Sequence, residues 1–417
     1  MSVLRGLTFA QRPSWACAAV LAALALTGCR HRGAAWFEPV EPVVGEVELF
    51  VLGAPRKGPH TQAVARELER SLADAAAAGR TPIVAWLGTD FGPPGPDHAR
   101  ACPSPGEAFR GPGLSELSQV LARAAEDGAS IWGLPGPDGW RCHLTGFDAA
   151  AAPLPYRQPG LAYVLRVDTR GQLELASSCE GHVCSVAPPE DDTLVELVAL
   201  DFSFWHYPEL AGTDLSEAVL AQQADLLAAL AEQPPRPRIL LTPIPVETAG
   251  KHGLGARKQR ASFRYLPEFV QQALADGLFV GVLGGLERSL QVSEDLSTAI
   301  HRGDRSFIER PIFEVVAGSA GGASHTLPTS RGISLLPDLE SEHPGFARVA
   351  IAEDQVQLRI HARVAGRWRV AGIELPLRPE PLEPMREPPT IQPCPSCDPQ
   401  AGAADGEVFV PRGERPN

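Results

Sequence analysis

The chain has no surplus of positive charge and no long basic run; its formal net charge is −13. Binding along a nucleic acid backbone requires a Lys/Arg surface to neutralise phosphates, so no nucleic acid partner is expected. An apolar run long enough to cross a bilayer, about 20 residues, is also missing. The N-terminal run over residues 16–26 falls short of that length and ends in small residues. There is no internal repeat. The glycine-rich segment Gly318-Ser319-Ala320-Gly321-Gly322 lacks the strand-to-helix setting of a nucleophile elbow, and a run of glycines alone does not specify phosphate binding.

What is present at the N-terminus points to export. Arg5 and Arg12 precede the apolar run, which reads as a cleavable signal peptide over residues 1–28 rather than a membrane span. It ends in Leu26-Thr27-Gly28-Cys29, which resembles the lipobox of bacterial lipoproteins, cleaved before a cysteine that carries the lipid. The resemblance implies a membrane anchor at Cys29 and a location in the cell envelope. Arg30 follows in place of the Asp that retains such proteins at the inner membrane, so the outer membrane is the expected destination. The competing reading is a secreted protein in which Cys29 is incidental. Loss of the signal would take the net charge from −13 to −15, since Arg5 and Arg12 go with it.

Hydrophobic residues make up 44% of the chain, enough for a sizeable core, and 41 prolines with 40 glycines argue for long loops. Beyond Cys17 and Cys29 six cysteines remain, an even number suited to an oxidising compartment. The simplest pairing joins sequence neighbours: Cys179 with Cys184, Cys394 with Cys397, and Cys102 with Cys142. Cys394 and Cys397 also form a CxxC, a redox or zinc half-site elsewhere. Here it stands in a proline-rich tail with no second pair nearby, which favours a structural bridge.

Along the body, short apolar runs alternate with amphipathic stretches, the signature of an α/β fold. Strands are expected at 47–52, 83–87, around Ile131, and at 161–167, 194–202, 238–241 and 278–282. Helices are expected over 62–78, with Val64, Leu68 and Leu72 at helical spacing, and after Ser115 as a cap, through Leu117, Val120 and Leu121. A further helix follows the capping box Asp214-Leu215-Ser216-Glu217, and another spans 267–275. After Pro311 only strands are expected, at 313–316, 347–351, 356–360 and 367–370. The resulting division is signal peptide 1–28, tether 29–45, main domain 46–375 and a Pro-rich C-terminal tail 376–417.

The loops after these strands, taken in order, resemble those of bacterial calcineurin-like metallophosphoesterases of the purple-acid-phosphatase-like branch. That family carries GDxG, GDNxYPxG, PGNHDW, HHPxxSxGxHG and GHDHSLQ. This chain has Leu52-Gly53-Ala54-Pro55, then Leu87-Gly88-Thr89-Asp90-Phe91-Gly92-Pro93, then Pro135-Gly136-Pro137-Asp138-Gly139-Trp140. Thr242-Pro243-Ile244-Pro245 follows, with Thr248, Gly250, His252 and Gly253 in the family's spacing, and then Gly284-Gly285-Leu286-Glu287-Arg288-Ser289-Leu290-Gln291. The resemblance covers roughly residues 46–365 and implies a four-layer α/β/β/α sandwich.

It also implies a pair of metal ions about 3.5–4 Å apart that activate a water for attack on a phosphoester. The ligand positions disagree. Ala54, Thr89, Asp90, Pro137, Asp138, Pro243, Ile244, Leu286 and Arg288 stand where the family places carboxylate, amide and imidazole ligands. Ala, Pro, Ile and Leu cannot coordinate a hard cation. The expectation is a retained scaffold with no catalytic residue and no metal cofactor. The alternative is an active phosphoesterase with one divalent metal on the residual candidates Asp90, Asp138 and His252. Against that, the Asp residues cap turns and His252 is solvated. Arg288 and Glu287 are expected to fill the vacated space as an ion pair. Lys251, His252, Arg257, Lys258, Arg260 and Arg264 form one basic stretch in an acidic chain, either a dock for an anionic ligand or an envelope protein, or a solvated loop. His206 is expected to be a packed residue rather than a base.

Overall fold

The computed structural model describes residues 47–53, 55, 59–88, 114–141, 156–207, 213–248, 263–287, 289–296, 311–318, 320–321 and 343–377. All of them belong to the first of two compact units, Met1–Pro381. The signal peptide, Cys29, the tether and the C-terminal tail with Cys394 and Cys397 lie outside the described residues, as do Cys102 and Cys142.

The elements, in chain order, are β1 (Val47–Gly53), α1 (Pro59–Ala77), β2 (Thr81–Leu87), α2 (Leu114–Glu126), β3 (Ser130–Leu134), α3 (Gly136–Arg141), β4 (Ala162–Asp168), β5 (Leu173–Leu175), β6 (Ser177–Glu180), β7 (Val183–Val186), β8 (Thr193–Leu200), α4 (Ser203–His206), α5 (Thr213–Ala231), β9 (Arg238–Thr242), a 3-10 turn (Phe263–Tyr265), α6 (Glu268–Ala275), β10 (Gly281–Gly284), β11 (Leu290–Ser293), β12 (Phe313–Ala317), β13 (Gly345–Ile351), β14 (Gln355–Val364) and β15 (Arg367–Pro376).

Two sheets carry the fold. The first has the order β15-β14-β13-β1-β2-β3, with β1, β2 and β3 parallel and the last three strands of the chain added antiparallel. The second has the order β11-β12-β10-β9-β8-β4-β5, with β8, β9, β10 and β12 parallel. A small hairpin of β6 and β7 stands apart and is closed by the disulfide Cys179–Cys184, as the sequence suggested.

Alternation along each strand builds the layers. Leu49, Val51, Ile83 and Ala85 of the first sheet meet Leu165, Leu197, Ile239 and Val315 of the second in one core between the sheets. The opposite faces are covered by helices. Phe50, Leu52, Val84 and Trp86 pack under Leu68 and Leu117 from α1 and α2. Val198, Leu240 and Val282 pack under Leu226, Leu230 and Val270 from α5 and α6. The architecture is the expected four-layer α/β/β/α sandwich.

On the helix-facing sides of the two sheets, two buried carboxylates are paired with arginines. On β1, Glu48 is fully buried and accepts from Arg348 Nε at 2.6 Å, with Arg80 at 3.1 Å. On β8, Glu196 bridges Arg166 at 3.0 Å and Arg238 at 2.7 Å. Burying a carboxylate without such partners would cost several kcal/mol.

Several expected boundaries move; β14 and β15 run on to Val364 and Pro376, and β8 ends at Leu200. Leu114, not Ser115, starts α2, and the Ser115 hydroxyl donates to Glu116 at 2.9 Å instead of capping the helix. Thr213 begins α5, so Asp214 lies within the first turn rather than before it. The strand expected from Leu278 begins only at Gly281. The reason is the end of α6: the Leu278 N–H donates to Ala273 O at 3.0 Å and the Gly277 N–H to Leu274 O at 3.2 Å. That Schellman closure, with Gly277 at φ +69°, holds Leu278 against the helix. Strands β5, β6, β7 and β11 and helices α3 and α4 were not foreseen.

His361 on β14 is a titratable group inside the helix–sheet layer. Its ring stacks on Phe346 with centroids 4.7 Å apart, and its Nδ1 lies 3.5 Å from Glu67 of α1. Burial lowers its pKa from the ordinary 6.5; Glu67 pulls it up, and Arg348 and Arg359 push it down. Because the folded value is depressed, the neutral ring contributes stability above the unfolded value. That contribution is lost as pH falls through 6.5 toward the folded value. Urea titrations across pH 5–8 are expected to show stability declining on the acid side, and His361→Phe should flatten that slope.

Candidate functional site

Open α/β sheets present their ligand sites at the carboxyl ends of parallel strands. In this protein those ends from the two sheets meet. The end of β1 meets the end of β12: a Cβ on Gly53 would lie 2.1 Å from Ala317 O. The end of β2 meets the ends of β9 and β10: a Cβ on Gly285 would lie 2.2 Å from Leu87 O and 2.9 Å from Pro243 O. Only glycine permits such backbone contact.

The turn after β3 joins the same cluster. Gly88 and Gly136 both adopt positive φ, at +79° and +69°. A Cβ on Gly136 would lie 2.8 Å from Gly88 Cα and 3.2 Å from Pro243 Cβ. Three loops that the family resemblance assigns to metal ligation therefore touch one another through glycine and proline.

Four of the nine degenerate positions are described with their side chains. Pro137 and Pro243 are buried, Ile244 is fully buried in the helix-side core, and Leu286 packs against that core at φ 59°. None of the four carries a side-chain donor atom for a metal. Asp138 is placed on α3 by its backbone alone. Ala54, Thr89, Asp90, His252 and Arg288 lie outside the described residues, so the structure does not place the residual set Asp90, Asp138 and His252 together or apart. The same holds for the basic run, apart from the backbone of Arg264 in the 3-10 turn. Among the described residues no group of three or more His, Cys, Asp or Glu is close enough to share an ion.

Polar groups do gather beside this cluster, and they hold loops. Asp201, directly after β8, is fully buried. Its Oδ2 accepts from the Gly136 N–H at 2.9 Å and from Trp140 Nε1 at 3.1 Å. Its Oδ1 accepts from the Ser203 N–H at 3.0 Å and from the Ser203 hydroxyl. Burial raises its pKa, against the lowering effect of these donors. Asp201 was not among the residues singled out from the sequence. The available signal was an Asp ending an apolar strand with Ser two residues on, the pattern of a side-chain-closed turn.

A second carboxylate does the same for the loop after β9. Glu314 on β12 is buried and accepts from the N–H groups of Val246 at 2.7 Å and Glu247 at 3.0 Å. Burial raises its pKa well above the ordinary range, with Glu247 adding to the rise. Glu247 in turn accepts from the Phe263 N–H at 2.8 Å. Thr248 and Gln291 hydrogen-bond to each other at 2.9 Å. His206 is buried with its ring 5.8 Å from that of Phe202, a packed residue as expected.

No family model matches the chain. No curated protein matches it by sequence. Among solved structures the fold is similar to one described as PhoD, at 11% identity and a TM-score of 0.46, over 83% of this chain and 73% of that one.

Asp201→Ala would strip several buried donors of their acceptor at once. The expected loss is about 3 kcal/mol of unfolding free energy, read from urea denaturation. Asp201→Asn, which keeps one oxygen acceptor, should lose less.

Proposed function

We propose that this protein is a lipid-anchored envelope protein in which a metallophosphoesterase-like scaffold serves for binding and not for hydrolysis. The observation that carries the reading is the contact of Gly88, Gly136 and Pro243 at the strand ends. A two-metal site needs an open, charged cavity there, with carboxylates and imidazoles converging on it. Here Gly88, Gly136 and Pro243 meet one another, with Pro137, Ile244 and Leu286 at positions where the family has ligands. The order of the loop motifs and the retained Trp140 and Gln291 support descent of the scaffold from such an enzyme.

The occupant of a binding role is an anionic ligand or an envelope protein, drawn by the basic run between Lys251 and Arg264 in an otherwise acidic chain. Localisation rests on the lipobox: the lipid at Cys29 holds the body at the membrane, in the outer membrane by the Arg30 sorting argument.

Two measurements test this. The chain is incubated with manganese, iron and zinc, freed of unbound ions and analysed for metal by mass spectrometry. The expected ratio is near zero and unchanged by Asp90→Ala or Asp138→Ala. A ratio near one or two that falls in those variants would overturn the non-catalytic reading in favour of a residual metal site. Separately, Cys29→Ala is expected to move the protein from the membrane fraction to the soluble one. Unchanged membrane association would sink the lipid anchor and leave the metal result standing.

A further inference from the structure

The opposite end of the sandwich carries a groove of about 860 Å³ between α5 and α6. One wall is Ala224, Ala228 and Ala231, one face of α5 at helical spacing. The other wall is Phe269 of α6, and the floor is Leu278 and Val280. The small side chains on α5 leave these apolar groups uncovered. Phe269, Leu278 and Val280 remain only half-buried, and Ala228 and Ala231 are exposed. Arg236 lines the same groove.

The groove lies where β9 and β10 begin, at Arg238 and Gly281. Since the carboxyl ends of β1, β2, β9, β10 and β12 meet at the other end, the start of β1 at Val47 is on the groove's side. The chain entering Val47 is therefore at the correct end of the molecule. From Phe37 to Val47 it spans roughly 30 Å when extended at about 3.3 Å per residue. The path from the first sheet across the second to the helix layer is about 20 Å, two layer spacings of about 10 Å. The reach suffices.

The composition of that entering segment matches the groove. Residues 34–41 read Ala-Ala-Trp-Phe-Glu-Pro-Val-Glu. Two adjacent aromatics in a segment that otherwise reads as a tether have a large apolar area to bury, and aromatic anchors in an apolar pocket dominate docking energetics. Arg236 offers a cationic partner to Glu38 or Glu41, beside Asp276, an exposed acid that lines the same groove. The C-terminal residues 378–417, which leave β15 at the same end, hold a single aromatic, Phe409.

We infer that the Trp36-Phe37 segment docks in the groove between α5 and α6, so that the N-terminal tether is clasped to the body instead of swinging free. This goes beyond the function proposed above and does not depend on it. The test uses the full-length chain with the photo-reactive residue benzoylphenylalanine in place of Phe37. On irradiation the expected product is an intrachain cross-link to peptides from 224–236 or 269–280, independent of protein concentration. Ala228→Arg, at an exposed wall position, should cut its yield about tenfold. Ala125→Arg, at an exposed position on α2, should leave it unchanged, and circular dichroism should show both variants folded. Cross-links to a second copy, to another protein or to lipid, or to other parts of the body, would overturn the inference. So would an intrachain yield that Ala228→Arg does not change.

Discussion

Asp201 holds the two sheets in register at the end where ligands usually bind. It belongs to the second sheet, as the residue after β8, and its Oδ2 accepts the Gly136 N–H from the turn that follows β3 of the first sheet. The same oxygen takes Trp140 Nε1, so α3 is fixed by both its first residue and its indole. Tyr163 adds a parallel tie by donating to Gly133 O at 3.0 Å, from β4 to β3. Apolar packing between sheets has no direction of its own; a carboxylate in a water-free setting does, because each donor it loses leaves a costly orphan.

With that register set, hydrogen bonds position the described turns at the strand ends. Gly136 must sit where Asp201 draws it, and there it touches Gly88 and Pro243. Glu314 repeats the logic by fixing Val246 and Glu247, which places Pro243 and Ile244 upstream of them. Both carboxylates are spent on backbone N–H groups rather than aimed at a ligand. Their raised pKa values are thus explained by burial in a loop-holding role, without invoking an acid or base.

The long elements were legible because burial on both faces leaves near-continuous apolar runs, as in β1, β2 and β8, and because α1 and α2 keep one apolar stripe. The missed elements are short or exposed. β5 shows Leu175 to solvent, and β6 and β7 are held by a disulfide and by α5 rather than by an apolar pattern. Leu278 was assigned to a strand because its apolar neighbours continue into β10, whereas the glycine after α6 keeps it on the helix. At the candidate site, the resemblance of the loop motifs named positions, but nothing in the sequence showed that Gly88, Gly136 and Pro243 meet. That contact depends on Gly88 and Gly136 at positive φ, a tertiary outcome of where Asp201 and Pro243 sit.

The side chains found at Pro137, Pro243, Ile244 and Leu286 also bear on what holds these turns to the body. Apolar side chains at strand ends gain burial, worth about 25 cal/mol for each Å² taken from water. Ile244 has done this completely, entering the core under α5 and α6 with no exposed surface. The price is local strain at Leu286, whose left-handed backbone costs a non-glycine residue roughly 1–2 kcal/mol. Its side chain recovers part of that by packing on the same core, which ties the shape of the turn after β10 to the hydrophobic layer beneath it.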